Sequence, residues 1–304
     1  MRGEVDRDTA MAALAQALPY IRLYRGKLFV LKLGGASTAP DAVRRLVEQI
    51  VVLSEFGIRI VVVHGGGPQA TALAERLGVP TQIVDGRRVT SPEVLELAIM
   101  ALNGTVNTAL LSACRAAGLP ALGLSGIDAG LVRASVRPPI PLDYGEVGDV
   151  VSVDTSVIER LLDAGFLPVV SPLAATDDGR VLNLNADTVA AALASALGAE
   201  KLVFLTDTAG LLEDPRDGLS TISYVDLEGL DALERRGAFE GGIRPKVQAA
   251  RAALDGGVRR VHLVGHEHLR ALLMEVFTNE GSGTLIVRSR ADLSMAEQTA
   301  SVMP

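Results

Sequence analysis

Short runs of β-branched and aliphatic residues alternate along the chain with longer stretches whose apolar positions recur at helical spacing. The runs Lys27–Leu33, Ile58–His64, Leu167–Ser171, Lys201–Thr206 and Arg260–Val264 predict strands. Between them, Ala42–Phe56, Gln69–Leu77, Pro92–Asn103, Val106–Gly118, Ser156–Gly165, Asp187–Leu197, Leu227–Arg236 and Pro245–Gly256 predict helices. Two strand runs, IVVVH and LVFLT, lack an alternating polar face, which fits strands covered on both sides. This rhythm predicts an α/β fold: a three-layer αβα sandwich around a mostly parallel central sheet. The stretch from about 134 to 153 departs from it. Three prolines and two Gly-Xaa-Val turns in SVRPPIPLDYGEVGDVVSV predict a hairpin-rich excursion able to cover a site. Beyond Arg288 apolar periodicity stops, and a loose tail is expected over 291–304.

Composition narrows the function classes. With 304 residues, 48% of them hydrophobic, the chain can bury a core large enough for one big α/β domain or two lobes. A net charge of −7 and no basic stretch argue against a nucleic-acid partner. The single cysteine, Cys114, excludes an internal disulfide and sits in the helical stretch NTALLSACRAAG, where a core thiol is expected. The N-terminal residues mix charges into their apolar pattern, unlike a signal peptide, and the apolar stretch TVAAALASALGA is too short to span a bilayer. These features predict a cytoplasmic protein with no membrane partner.

Chemistry enters with the lysines. Only four of the 29 basic residues are lysine, and two of them, Lys32 in LKLGG and Lys246 in GGIRPK, sit beside glycine pairs. A compact ammonium on a flexible stem suits a phosphate crowded by backbone amides. The strongest local signal is strand, HGGGP, helix: Gly65, Gly66 and Gly67 let backbone approach an anion, Pro68 suits the start of a helix, and the helix start adds a partial positive charge. His64 is expected to end the strand as a structural residue. No GxxxxGK[ST] or post-strand GxGxxG is present, which argues against a P-loop or a Rossmann dinucleotide site. In Asn183-Leu-Asn185-Ala-Asp187, three polar residues alternate at the mouth of an apolar helix. Asn185 can cap it, leaving Asn183 and Asp187 to face a ligand. The turn Thr206-Asp207-Thr-Ala-Gly210 ends a buried strand, where open α/β sheets bind ligands. Lys246 in the first turn of its helix opposes the helix dipole, which is unfavourable without an anion nearby.

LKLGG, HGGGP, GRRVT, NLNAD, LTDTAG, GGIRPK and EVFTNEGSGTLIV occur in the order and spacing of the amino-acid kinase family, which the chain resembles from about Leu18 to Val287. The resemblance implies transfer of a phosphoryl group from ATP, with Mg²⁺ held mainly by the nucleotide and no protein metal site, to the side-chain carboxylate of N-acetyl-L-glutamate. It implies an N-terminal helix over 1–25, an acceptor and dimerisation lobe over 26–199 and a nucleotide lobe over 200–290. It assigns Lys32 and Lys246 to the phosphoryl group in flight and Asp187 to holding both ammonium groups. Gly34, Gly35, Gly66 and Gly67 would supply amides, Arg88 would pair with the substrate's α-carboxylate, and Asn183 would meet the acetamido group. Asp207, Gly210, Leu212, Gly241 and Gly242 would form the nucleotide site. The opening ALPYIRLYRGKLFVLKLGG resembles an arginine-inhibited, hexameric branch, which implies a homodimer or hexamer and an arginine effector at Tyr20, Glu275 and Gly281. Against that branch, Arg270 stands where histidine is usual, His268 lies two residues earlier, and Gly265-His266 replaces an Asp/Asn-Gly pair. Ile127 stands where lysine is common. The alternatives are a kinase of an N-acylated aminoadipate or carrier-linked glutamate, or a non-catalytic arginine sensor, which would be expected to lose one of Lys32, Asp187 or Lys246.

Overall fold

The computed structural model describes residues 7–84, 87–214, 217, 220–239, 241–266, 270–278 and 281–292. Among these, fourteen strands fall into three sheets. In chain order they are β1 (Leu28–Leu33), β2 (Arg59–His64), β3 (Gln82–Val84), β4 (Arg87–Val89), β5 (Ala121–Ser125), β6 (Val132–Val136) and β7 (Gly148–Val153). There follow β8 (Leu167–Ser171), β9 (Leu173–Ala175), β10 (Val181–Asn183), β11 (Lys201–Thr206), β12 (Tyr224–Asp226), β13 (Arg260–Gly265) and β14 (Thr284–Val287). The main sheet runs β12–β14–β13–β11–β1–β2–β8–β5, and every pairing is parallel except β13 with β14. Its central strands, β1, β2, β8, β11 and β13, are the five expected from sequence, with boundaries shifted by at most one residue.

Alternation along these strands builds two cores. Phe29, Leu31, Leu33, Ile60, Val62, Val203 and Leu205 face one side, against α2 (Pro40–Glu55) and the C-terminal part of the helix running from 92 to 116. Val30, Val61, Val63, Leu202 and Phe204 face the other, against α7 (Ala186–Ala196) and α9 (Ile243–Asp255). This is the expected helix–sheet–helix sandwich. The other helices are α1 (Arg7–Tyr24), α3 (Gly67–Leu77), α4 (Pro92–Ile99), α5 (Asn107–Ala116), α6 (Ser156–Asp163), α8 (Leu227–Arg235) and α10 (Ala271–Phe277).

The expected excursion is a hairpin, β6–β7, whose register shifts between Arg133 and Ala134, and it joins β9 and β10 in a second sheet. Two expectations are corrected. The separate helices over 92–103 and 106–118 are one helix, because a π-helical turn, Met100–Val106, carries α4 into α5. Among the described residues this 25-residue segment, rather than TVAAALASALGA, is the one long and apolar enough to cross a membrane. Here its Val94, Leu97, Ala101, Leu102, Leu110 and Cys114 are buried in the protein, while Glu93, Glu96, Asn103, Thr105 and Thr108 lie exposed, as on a core helix. The tail beyond residue 292 lies outside the described residues.

Candidate active site

A cleft of about 260 Å³ opens where β1 and β2 end and α3, α7 and α9 begin. Strand order explains its place. The chain leaves β1 toward β2 on one side, while β11 continues to β13 on the other, so the C-terminal ends of β1 and β11 flank a topological switch point.

Lys32 shares the face of Val30 and so points toward α7 and α9 rather than α2. Its ammonium lies 2.6 Å from Asp187 Oδ1, and Lys246 lies 3.5 Å from Oδ2. Asp187 stands in the first turn of α7, whose N-cap is Asn185: the Asn185 side chain accepts from the amides of Asp187 (2.9 Å) and Thr188 (3.1 Å). Burial alone would raise the Asp187 carboxyl. The charges of Lys32 and Lys246 outweigh it and hold the group below its ordinary value, ionised. Lys246 also donates to the Gly242 carbonyl at 3.2 Å. The anion that the lysine in the first turn of α9 calls for is thus partly supplied by the chain itself. Lys32 is sealed, whereas the Lys246 side chain stays 20% exposed toward the cleft.

The glycines are set by close approach. A Cβ on Gly34 would lie 2.3 Å from the Lys32 ammonium, and one on Gly66 would lie 2.8 Å from Leu102 Cδ2. Gly35 has φ +56°, and a Cβ there would meet the Asp207 carboxylate at 2.2 Å. Gly67 begins α3 one residue earlier than expected, making Pro68 its second residue, and it faces open space. The Gly34 amide is engaged: it donates to Ser37 Oγ at 2.8 Å, so that hydroxyl must yield before the amide meets a ligand. His64 is structural, as expected. Its Nδ1 meets the Gly65 carbonyl at 2.9 Å, Asn107 donates to its Nε2 at 3.3 Å, and burial pushes the ring down to about 4.

At the far wall, Arg88 on β4 donates through Nη2 to the Gly67 carbonyl (3.0 Å) and Thr71 Oγ1 (2.6 Å). Its Nη1 is buried without a partner among the described residues, an orphan donor on a cation that lines the cleft. Asn183, on β10, lines the same wall and donates to Thr90 Oγ1 at 3.3 Å.

The cleft therefore gathers Lys32, Gly34, Gly35, Gly66, Gly67, Arg88, Asn183, Asp187, Gly242 and Lys246. Asp207 reaches Gly35 from the end of β11, and Gly241 precedes α9 with φ +54°. Gly210 and Leu212 lie off the cleft lining. The space a Cβ would take at Gly210 belongs to Thr284, and Leu212 forms a bridge with Thr221. α1, whose Tyr20 packs on the core, lies beside α10, which carries Glu275, and Gly281 abuts the Glu275 carboxylate. Arg270 immediately precedes α10, and His268 lies outside the described residues. Sequence reading passed over Arg87, Ser37 and Thr71. The Arg-Arg doublet in GRRVT was the available signal for Arg87, which also lines the cleft.

Two cations joined by one carboxylate beside glycine loops, opposite a guanidinium with a spare donor, form a cradle for two anions brought together. Comparison with known proteins decides the family: residues 27–265 match the model of the amino acid kinase family. The chain belongs to that family. It is 50% identical over 292 residues to the acetylglutamate kinase of Myxococcus xanthus, covering 92% of this chain and 95% of that one. With the acetylglutamate kinase of Symbiobacterium thermophilum it shares 44% identity over 284 residues, covering 91% and 97%. Among solved structures, N-acetylglutamate synthase from Neisseria gonorrhoeae, complexed with coenzyme A and N-acetyl-glutamate, superimposes with a TM-score of 0.82 at 29% identity. That match covers 92% of this chain but 63% of the synthase's length. Carbamate kinase from Giardia lamblia, at 20% identity and a TM-score of 0.64, shares the fold.

Proposed function

We propose that this kinase transfers the γ-phosphoryl group of ATP to the side-chain carboxylate of N-acetyl-L-glutamate, giving N-acetyl-L-glutamyl 5-phosphate in arginine biosynthesis. The observation that carries the reading is Asp187 joining Lys32 and Lys246 at the cleft, on a chain 50% identical to an acetylglutamate kinase along nearly its whole length. The acceptor carboxylate is already an anionic nucleophile, so no general base is required, and neutral His64 is spent on structure. The barrier is the approach of one anion to another. Lys32 and Lys246 neutralise charge spreading over the phosphoryl oxygens, and Asp187 fixes both ammonium groups in advance. Arg88 supplies its orphan Nη1 to the substrate's α-carboxylate, and Asn183 meets the acetamido group.

Among the described residues, no three His, Cys, Asp or Glu side chains stand together as a metal cradle. In this reading Mg²⁺ rides on the nucleotide and adds charge neutralisation there. Residues 26–199 bind the acceptor, and 200–290 bind ATP through Asp207 and the Gly241–Gly242 loop, with Gly210 and Leu212 supporting the turn behind Asp207. The exposed apolar side chains Met11, Leu14 and Leu18 on α1 support a homo-oligomer, a dimer or, by exchange of α1, a hexamer. Arginine feedback through Tyr20, Glu275 and Gly281 requires Glu275 to leave partners it already has, His262 and Ser282. A cytoplasmic setting completes the proposal.

The test is ATP- and Mg²⁺-dependent acyl-phosphate formation trapped with hydroxylamine, on N-acetyl-L-glutamate beside N-acetyl-aminoadipate. Turnover on the first alone is expected. Turnover on the second alone, or on neither, would overturn the assignment.

A further inference from the structure

The last register pair between β11 and β13 is Thr206 with Gly265, and the ladder reaches one step further, since the His266 amide donates to the Thr206 carbonyl at 3.0 Å. Asp207 and His266 therefore leave the sheet side by side. The His266 Nε2 lies 3.1 Å from Asp207 Oδ1, and the other side of that carboxylate is wedged against Gly35, where a Cβ would be 2.2 Å from Oδ2. The imidazole is mostly buried, and its Nδ1 has no partner among the described residues. A buried N–H without an acceptor is costly, so the proton belongs on Nε2, donated to the carboxylate.

This arrangement links three strand ends. β13 positions the imidazole, the imidazole orients Asp207 at the end of β11, and Asp207 presses on the glycine loop after β1 at Gly35, three residues beyond Asp187-bound Lys32. Gly35 itself is left-handed, which glycine adopts without strain, and its missing side chain leaves the space that the Asp207 carboxylate occupies beside the cleft.

We propose that His266 is a positioning residue for phosphoryl transfer: by donating Nε2–H to Asp207 it sets that carboxylate against Gly35 and fixes the glycine loop on the nucleotide side of the cleft. This rests on the kinase reading above. Steady-state kinetics of wild type, His266→Ala and His266→Gln, with calorimetric titration of ADP, test it, and wild-type turnover on N-acetyl-L-glutamate checks the reading separately. Loss of one hydrogen bond to a carboxylate predicts about a tenfold rise in KM for ATP and in the Kd for ADP in His266→Ala, with the acceptor KM and thermal midpoint unchanged. Glutamine places an amide donor near the same point and should recover both to within about threefold of wild type. An unchanged KM for ATP in His266→Ala, a glutamine variant no better than alanine, or losses that track the thermal midpoint would overturn it.

Discussion

Asp187 and Glu275 are both buried carboxylates kept ionised against the cost of desolvation, yet their partners differ in kind. Asp187 holds two lysines, and one of them, Lys246, stays open to the cleft. Glu275 accepts from His262 Nδ1 at 2.6 Å and from the Ser282 amide at 2.6 Å, all within a sealed corner between β13, α10 and the turn before β14. Burial, with the Lys201 charge, pushes His262 below its ordinary range, so the ring is neutral and donates Nδ1–H. Burial would raise Glu275, but these hydrogen bonds and Lys201 bring it down to about 2. A buried carboxylate whose bonds all end in the protein maintains structure. One whose cations retain bonding capacity toward open space is available for chemistry.

Breaking each group should separate the two roles. Lys32→Ala removes a sealed cation and leaves Asp187 with Lys246 alone. Turnover should fall about 100- to 1,000-fold, by comparison with loss of one preorganised donor. Denaturant unfolding should also show a loss of about 3–5 kcal/mol, because half of a buried ion pair is missing. Glu275→Ala strands the donors of neutral His262 and of the Ser282 amide and should cost about 2–5 kcal/mol in the same unfolding assay, while turnover per folded molecule stays at wild type. A selective loss of turnover there would place Glu275 in the chemistry and erase the contrast.

Acid should act on the sealed groups first. His64 titrates near 4 when folded and near 6.5 when unfolded, so its neutral form contributes fully above pH 6.5. As pH falls from 6.5 toward 4 the unfolded chain takes up a proton the folded one refuses, and stability drops by about 3 kcal/mol. Glu275 adds a second loss as pH falls through 4.5 toward 2. Urea titrations at several pH values should show the first slope and lose it in His64→Asn. The smallest effect concerns the acceptor wall: Arg88→Ala should raise the KM for N-acetyl-L-glutamate about 10- to 100-fold and leave that for ATP unchanged.

Much of this was legible in the sequence because its signals are local. The five central strands announce themselves by apolar runs, and Lys32, Asp187 and Lys246 by glycine loops or a capping asparagine. Three strands of the main sheet, β5, β12 and β14, escaped: they are short, and β5 (ALGLS) carries a glycine and partly exposed positions. The π-helical turn joining α4 to α5 has no sequence signature distinct from a helix end. Saturation of Glu275 depends on His262, 13 residues away, and on Ser282 folding back, which only tertiary packing reveals. The same limit applies to Ser37 occupying the Gly34 amide, and to Thr284 filling the space that keeps residue 210 a glycine.

In this reading the Lys32–Asp187–Lys246 constellation performs the phosphoryl transfer. Lys246→Met tests it most directly, because Lys246 is the more exposed cation and Asp187 keeps Lys32 without it. Single-turnover acyl-phosphate formation at saturating ATP and N-acetyl-L-glutamate should fall about 100-fold or more while the thermal midpoint stays at wild type. A rate within about threefold of wild type would mean that Lys246 takes no part in the transfer.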